Sequence, residues 1–392
     1  MPNFSGQLNS NAIFAALFNM IISQQVFADN FGKHQTLVDK GRVDGGLYGD
    51  TKTFTSVDVL KTNPWAGDAE ATNLLALDRP PAPKTQAIVL DVFRQIRLTV
   101  DDYLSKQAWA SEYSFSEFTG AVVAQMSETK KVYEGTLYNV FLGTNVAAQG
   151  RQNVSIDITT ATTGLTGMEK NVVEATTIAK DLANLMYDMG DYSRDFNDNQ
   201  FLRSYAEDQI EIVWNVDWVN KIRKVDTPTI FHKDDLIKKF ADNAINGRYF
   251  GILITASNIS TYSDSTPAPG KPIDADDGAY TPGSNHANGL VRSAVEKEWT
   301  VGGTTYHVFP GDELPSGTTV GTNKSFAPGE VYLEDRSIIC KLVVKWPALM
   351  SAFSVGTSFF NPRSLTENKY LTFGHNKLEH YYNYPFVTVK AI

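Results

Sequence analysis

Cysteine is almost absent from this sequence: among its 392 residues only Cys340 carries a thiol. A single cysteine excludes an intramolecular disulfide, a CxxC redox pair and a zinc site built from cysteines. Cys340 lies in the apolar stretch 337–346 (SIICKLVVKW), which has the character of a β-strand. We therefore predict that it is a small and inert core side chain, because buried thiols are seldom reactive.

Long hydrophobic runs are also missing, which excludes a membrane-spanning helix. The longest apolar segment is 11–28 (NAIFAALFNMIISQQVFA), and polar residues such as Asn19 and Ser23 interrupt it. The alternative of a secretory signal is disfavoured, because no Lys or Arg precedes the segment and no small-residue cleavage site follows it. The spacing of its apolar residues favours a short amphipathic helix that docks on the body of the protein or on a neighbour.

Positive charge is scarce, and no run of Lys or Arg occurs. The chain has 35 Lys and Arg against 44 Asp and Glu, a net charge of −9. Because nucleic-acid binding needs basic surface to displace counterions, this balance argues against a dedicated nucleic-acid binder. Apolar residues make up 42% and charged residues 20%, which is typical of a folded protein, and the length allows two or three domains.

Motifs that carry catalysis or bind metals are missing. The stretch 321–325 (GTNKS) lacks the spacing of a phosphate-binding loop, and neither a G-x-G-x-x-G nor a G-x-S-x-G motif occurs. The acidic stretch 191–198 has no glycine at the sharp turn and no final glutamate, so it fails the calcium-loop pattern and is read as a self-capped loop. His375 and His380 are five residues apart, too poor a spacing for a helical metal pair. We expect no catalytic, cofactor or metal site.

The strongest pattern that is present alternates apolar and polar residues over 86–100. The even positions from 88 to 100 are apolar except for Arg94, and the alternation over 86–100 predicts a half-buried strand about 50 Å long. Such a strand either crosses a large sheet or projects as a hairpin arm. The Thr- and Val-rich stretch 51–60 is a second strand candidate, and the proline-rich stretch 61–83 predicts an irregular tip between the two.

A long helix is predicted at 114–143. It starts with a capping box, Ser114 to Glu117, carries apolar residues at spacings of three and four, and ends at Gly143. Its length of about 45 Å exceeds the radius of gyration of about 21 Å expected for a globule of this size, which predicts a flat or elongated subunit. The other predicted elements are helices at 169–189 and 217–224, strands at 153–158, 209–214, 337–346 and 386–389, and a polar surface insertion at 257–289.

Short motifs, each weak alone, follow one another in a characteristic order. They are VDGGLYGD (43–50), WAGD (65–68), LLALDRP (74–80), APKTQ (82–86), DYLSK (102–106), ETKKVY (128–133), SRDFN (193–197), PTIFH (228–232), HVFPG (307–311), FNPRSL (360–365) and YLTFG (370–374). In this order the chain resembles the major capsid proteins of tailed double-stranded DNA bacteriophages with the Hong Kong 97-like fold, especially those of small short-tailed phages. The resemblance covers nearly the whole chain except 257–289.

The resemblance implies an α+β fold of a known layout. Its parts would be an N-terminal arm (1–46), an extended β-hairpin loop (47–100), a peripheral domain (101–206 and 336–392) with a spine helix (114–143), and an axial domain (207–335) with the polar insertion (257–289). It further implies self-assembly into homo-pentamers and homo-hexamers of an icosahedral shell, with no enzymatic activity and no cofactor. The other implied partners are a portal protein, scaffolding or decoration proteins, and double-stranded DNA enclosed without sequence-specific binding. No membrane is implied. The location would be the virion capsid, assembled in the host cytoplasm.

Subunit contacts are expected on the arm and the hairpin loop, because a lone hairpin is only marginally stable in water. The candidate contact residues are Leu47, Tyr48, Phe54 and Trp65. The alternative is that each packs inside its own subunit. Two other functional classes stay open: an enzyme of unrecognised fold, which would have a deep pocket with converging titratable groups, and a phage tail or surface-attachment protein that binds carbohydrate, which would have a solvent-facing aromatic platform.

Overall fold

The structure is a computed structural model that describes residues 37–45, 49–63, 77, 79–101, 112–145, 151–223, 243–258, 263–264, 273–274, 290–318, 329–352 and 355–392. The candidate helix 11–28 and the candidate contact residues Leu47, Tyr48 and Trp65 lie outside these residues, as does most of the insertion 257–289. The predictions made for them therefore remain predictions.

The helices follow the predicted apolar spacing. The helix expected at 114–143 extends over Glu112–Gly143, and the one expected at 169–189 over Gly167–Gly190. The latter buries a stripe that includes Ile178, Leu182 and Met189, at spacings of four and seven residues. The helices are α1 (Val38–Gly41), α2 (Glu112–Gly143), α3 (Ile158–Ala161), α4 (Gly167–Gly190) and α5 (Val216–Arg223), with 3₁₀ turns at Glu207–Gln209 and Gly247–Tyr249.

The strands of the described residues form three larger sheets and two small ladders. Their bounds are β1 (Arg42–Asp44), β2 (Thr51–Ser56), β3 (Lys84–Asp101), β4 (Thr144–Asn145), β5 (Asn153–Ile156), β6 (Glu211–Asn215), β7 (Ala244–Ile245), β8 (Gly251–Leu253), β9 (Ser263–Asp264), β10 (Ile273–Asp274), β11 (Val291–Ser293), β12 (Lys297–Val301), β13 (Thr304–Val308), β14 (Val331–Glu334), β15 (Ile338–Val343), β16 (Leu349–Ser351), β17 (Val355–Asn361), β18 (Thr366–Asn376) and β19 (Phe386–Ala391).

The strand order within each sheet joins distant parts of the chain. The six-stranded sheet has the order β1-β16-β18-β3-β2, and β17 pairs with β18. The five-stranded sheet has the order β5-β19-β15-β6-β7, and the four-stranded sheet β11-β14-β8-β4. The hairpin β12–β13 and the parallel pair β9–β10 are separate ladders, the second inside the predicted insertion. The mixture of helices and sheets confirms the predicted α+β class.

The predicted long strand is present as β3, and it changes its partner along its length. Residues 84–89 pair with β2, and residues 90–101 pair with β18 from the C-terminal part of the chain. One part of this strand therefore pairs in a hairpin with β2 and the other crosses a large sheet, while projection of the hairpin as an arm stays a prediction. The predicted alternation holds, with Ile88, Leu90 and Val100 buried among the even positions.

The five-stranded sheet lies at the centre of the core, with a helix on each face. On one face, Trp214 and Leu342 pack against Leu182 of α4. On the other face, Val213 and Val343 belong to the same cluster as Tyr138 of α2. Each fully buried aliphatic or aromatic side chain contributes roughly 1.5–3 kcal/mol relative to exposure. These two clusters therefore attach α2 and α4 to a common sheet.

Cys340 lies within this sheet, on β15. It is fully buried and packs in the cluster formed with α4. Burial raises the pKa of its thiol because no charged partner compensates for the loss of water around a thiolate. The prediction of a core cysteine is confirmed.

Candidate subunit-contact site

Apolar side chains are exposed on both sides of the tip that connects β2 to β3. Beyond β2 the chain continues without regular secondary structure, and the ladder with β3 ends at Ser56 and Lys84. Because these side chains have no covering layer in the described part of the subunit, they are candidates for contact with another molecule. The exposed fractions are 56% for Val57, 47% for Val59, 69% for Leu60 and 84% for Leu77.

The ladder ends at Ser56 because the next two residues bind a different part of the chain. Arg194 Nη1 lies 2.5 Å from Asp58 Oδ2, and the Leu202 amide donates to Asp58 Oδ1 at 3.0 Å. Arg203 Nη2 donates to the Val57 carbonyl at 2.6 Å. We call these contacts of Val57 and Asp58 with Arg194, Leu202 and Arg203 the arm latch. They fix the direction in which the exposed segment leaves the body.

The Asp58 carboxylate is well suited to this role. Its partial burial would raise the pKa, but hydrogen bonds from Arg194 and from the Leu202 and Val59 amides more than compensate, so the pKa lies below its ordinary value. The carboxylate thus stays charged at neutral pH. The loop that supplies the latch is the acidic stretch 191–198 and its continuation, and its own side chains cap it as predicted, with Tyr192 N donating to Asp191 Oδ1.

A second attachment holds β3 at the base of the hairpin. The buried side chain of Gln86 accepts from the Tyr382 amide at 3.1 Å and donates to the His380 carbonyl at 2.8 Å. Lys84 Nζ donates to the Asn199 carbonyl at 2.8 Å. Both ends of the connection between β2 and β3 are therefore anchored to the same subunit.

Phe54 is the candidate contact residue that the structure describes. It lies on β2, is half-buried, and its ring meets Tyr381 edge-on with centroids 5.0 Å apart. The ammonium group of Lys345 lies over the rings of Phe54, Tyr381 and Tyr384, at 5.5, 4.6 and 5.3 Å from their centroids. Phe54 thus packs partly within its own subunit. Contact of its exposed part with a neighbour stays a prediction.

A second exposed apolar surface was missed by sequence reasoning. The hairpin β17–β18 exposes Phe359 on 64% and Phe360 on 54% of its surface, and Leu365 in its turn on 42%. Leu365 has φ = +52°, a left-handed conformation that tightens the turn. The aromatic pair directly before Asn-Pro at 361–362 was the available signal, because a turn dipeptide after exposed aromatic residues indicates a hairpin tip.

The N-terminal segment is attached where the described chain begins. Lys40 Nζ donates to Glu211 Oε2 at 2.8 Å and to Asn243 Oδ1 at 2.7 Å, and Trp346 Nε1 donates to Glu211 Oε1 at 3.0 Å. Burial of Glu211 would raise its pKa, but these donors hold the pKa below its ordinary value. The described end of the predicted arm, residues 37–45, is therefore attached to the body of the same subunit.

A groove lies between α2, the six-stranded sheet and the four-stranded sheet. Its volume is about 890 Å³. Its apolar wall is half-buried rather than closed, which leaves room for a further chain segment. We call it the spine groove and define it by Val92, Leu137, Phe141, Leu253, Val295 and Leu378.

Titratable groups also line the spine groove, as an active site would require. The Tyr133 hydroxyl oxygen lies 2.9 Å from His375 Nε2, and the Asn376 carbonyl oxygen lies 2.8 Å from His375 Nδ1. His380 Nε2 lies 2.6 Å from Asp198 Oδ2. These side chains are engaged by one another, and burial lowers the pKa of His375, so its imidazole is neutral at neutral pH. In the described ranges, no cluster of His, Cys, Asp and Glu has the arrangement of a metal site.

The comparisons with known proteins rest on structure. No family model and no curated protein matches the sequence. A chain in the capsid structure of Staphylococcus phage Andhra aligns over 89% of this chain and 82% of its own length, with a TM-score of 0.52 and 10% identity. A chain in the structure of the head fiber and inner core protein gp22 of native bacteriophage P68 aligns over 89% and 83%, with a TM-score of 0.53 and 10% identity. This chain has the Hong Kong 97-like capsid fold.

At 10% identity the likeness is one of fold. The capsid fold confirms the fold class that the ordered motifs implied. The division into arm, extended loop, peripheral domain and axial domain stays a prediction. β6, from the predicted axial range, pairs directly with β15, from the predicted peripheral range. Among the described residues of this capsid fold, the helices are all too short or too polar to cross a membrane.

Proposed function

We propose that this chain is the major capsid protein of a tailed bacteriophage and that it assembles into homo-pentamers and homo-hexamers of an icosahedral shell. The observation that carries the proposal is the exposed apolar tip region at Val57, Val59, Leu60 and Leu77, whose base is fixed by the arm latch. An exposed apolar segment that is anchored at its base is suited to bind a copy of the same chain. The shared capsid fold supports this reading.

The finer parts of the proposal follow from the same layout. Residues 1–46 and 47–100 would act as the arm and the extended loop, and 101–206 with 336–392 and 207–335 as peripheral and axial domains. A portal protein, and scaffolding or decoration proteins, would be partners in the virion, after assembly in the host cytoplasm. The acidic composition, with a net charge of −9, suits a container that encloses DNA without gripping it.

The proposed role is structural and not enzymatic. The titratable groups of the spine groove are engaged with each other, with Tyr133 on His375 and Asp198 on His380. An enzyme needs such groups directed at a substrate. We therefore assign the groove to packing in this proposal.

The proposal is tested by the size of the purified particle. Wild-type protein, expressed with and without other virion proteins, is examined by sedimentation and electron microscopy. Leu60→Asn removes apolar surface from the tip, and Thr62→Asn, at a neighbouring exposed position, is the matched control. Shells from the wild type and the control, with loss of shells in Leu60→Asn, are expected. A wild-type protein that remains monomeric under all these conditions contradicts the proposal.

A further inference from the structure

The spine groove has an apolar wall that the described part of the subunit leaves half-covered. Its six defining residues come from α2, β3, the four-stranded sheet, the connection between β11 and β12 and the segment after β18, and all are half-buried. Half-buried aliphatic and aromatic side chains on several converging elements are a surface that gains free energy when a further apolar group covers it. We propose that residues 11–28 of the same polypeptide dock in the spine groove.

Most of the charged groups that line the groove have partners inside the subunit, which favours an uncharged occupant. Arg94 interacts with the Glu296 side chain at 3.9 Å, and Lys297 Nζ lies 2.8 Å from Glu330 Oε2. Asp198 is held by His380. Since these groups have partners inside the subunit, a charged occupant would gain little from them. The segment 11–28 contains no Asp, Glu, Lys or Arg, and its polar residues are Asn, Ser and Gln.

The described chain begins at Leu37, close enough to the groove for the segment 11–28 to reach it. Leu37 is buried in the cluster that also contains Val140, and Val140 lines the groove. The nine-residue span from 28 to 37 reaches at most about 30 Å when extended. The segment can therefore reach the groove from its own anchored base, without a partner molecule.

The dimensions agree as well. The stretch of α2 that lines the groove runs from Tyr133 to Phe141, about 12 Å along the helix axis. The apolar part of the segment, from Ile13 to Ile22, would be about 14 Å long as a helix. Because its apolar residues occur at spacings of three and four, such a helix would have one apolar face to pack against the groove wall.

The test uses cysteine cross-linking in unassembled full-length subunits. The native Cys340 is fully buried and does not compete. Leu17→Cys is combined with Leu137→Cys, and in a second protein with Leu378→Cys, so that one disturbed site does not decide the result. The matched control combines Leu17→Cys with Tyr187→Cys on α4, which is 85% exposed and outside the groove. A short bismaleimide is added, and peptides are mapped by mass spectrometry.

In the two proteins with a groove pair, we expect the bismaleimide to link both introduced thiols within one polypeptide. In the control protein, we expect the introduced thiols not to be linked to each other. Equal linking in groove and control pairs overturns the proposal, as does absence of linking in both groove pairs. Links found solely between two polypeptides also overturn it, because the groove would then hold a neighbour's segment. The readout needs no shell, so a failure of shell assembly does not imitate any of these outcomes.

A second measurement avoids introduced cysteines. Leu137→Asn makes the groove wall polar, and Lys131→Asn changes an exposed position on the same helix as the control. Limited proteolysis followed by N-terminal mapping is expected to show faster cleavage within 11–28 for Leu137→Asn alone. Equal cleavage rates in wild type, control and Leu137→Asn contradict docking in the groove.

Discussion

Lys341, on the middle strand of the five-stranded sheet, donates a hydrogen bond to the main-chain carbonyl of Thr144, the residue that follows α2. Its ammonium nitrogen also lies 4.2 Å from the centroid of the Phe386 ring. The side chain is fully buried. This contact connects the end of the longest helix to the centre of the core through an amine that has no carboxylate among its hydrogen-bond partners.

The first prediction concerns this amine. Burial, with a smaller effect of Lys390, lowers the pKa of Lys341 well below its ordinary value. Between that lowered pKa and the ordinary value near 10.4, the unfolded chain binds a proton that the folded chain does not, so stability rises with pH. Urea unfolding of wild type at pH 7, 8.5 and 10 should show this rise, and Lys341→Met should show a smaller one. Lys61→Met, on the exposed segment, is the control, and equal slopes in all three proteins contradict the prediction.

The second prediction concerns Asp335. Burial alone would raise its pKa, but Lys390 Nζ at 2.8 Å and the Ser337 hydroxyl and amide lower it overall. The resulting stabilisation is present above the unfolded pKa near 3.9 and is lost as pH falls through the lowered folded value. Asp335→Asn should cost about 1.5–3 kcal/mol at neutral pH, the usual contribution of a hydrogen bond to a charged group.

Asp188→Asn provides the comparison for Asp335→Asn. Asp188 pairs with Arg151 in a bridge whose side chains are about half exposed, at 54% and 49%. Such exposed bridges contribute about 0–1 kcal/mol. Urea titrations of both variants at pH 7 and pH 3 distinguish them. The prediction is wrong if the two variants lose the same free energy at pH 7, or if Asp335→Asn keeps the full acid sensitivity of the wild type.

The third prediction concerns Gly41, where the N-terminal segment crosses α2. A Cβ at this position would collide with Tyr138 Oη and with the Pro347 carbonyl oxygen. Those two atoms are themselves hydrogen-bonded at 2.9 Å, so neither moves freely. Gly41→Ala should therefore lower the unfolding free energy by about 1–3 kcal/mol, the usual cost of overpacking. Gly356→Ala, where a Cβ meets nothing within 4 Å, is the control, and calorimetry should show no loss there.

The fourth prediction concerns the arm latch. Asp58→Asn weakens the pair with Arg194, whose side chain is 49% exposed, so the global stability should change by less than about 1 kcal/mol. Local opening of 57–63 should increase, because the segment loses the contact that fixes it. Limited proteolysis should show faster cleavage there than in wild type or in Arg151→Gln, a variant of another exposed pair. Unchanged cleavage at 57–63 would show that Asp58 does not hold the segment.

Local elements were predictable from the sequence because their signals are local. The alternation over 86–100 and the spacing over 114–143 gave β3 and α2 with ends within two residues of those observed. The partner change of β3 was not predictable in this way. Its second partner, β18, lies some 270 residues further along the chain, and no local pattern encodes that pairing.

The candidate site was harder to predict for the same reason. Asp58 and Arg194 are 136 residues apart, and the sequence around each of them indicates a loop. Phe54 was chosen as an aromatic residue on a projecting loop, but the cage around Lys345 occupies part of its ring within the subunit. The hairpin β17–β18 carries its exposed phenylalanines in an aromatic-rich region, where composition alone does not separate core from surface.

The partner change of β3 has a mechanical consequence. One unbroken strand runs from the base of the loop, beside β2, into the six-stranded sheet beside β18. A force applied to the loop along β3 is therefore transmitted through continuous backbone. The hydrogen bonds between β3 and β18 are perpendicular to the strand, so this force loads them in shear. Hydrogen bonds loaded in shear share the force along the whole ladder instead of opening one after another from an end. The strand therefore transmits force from the loop to the body without a weak point at its base.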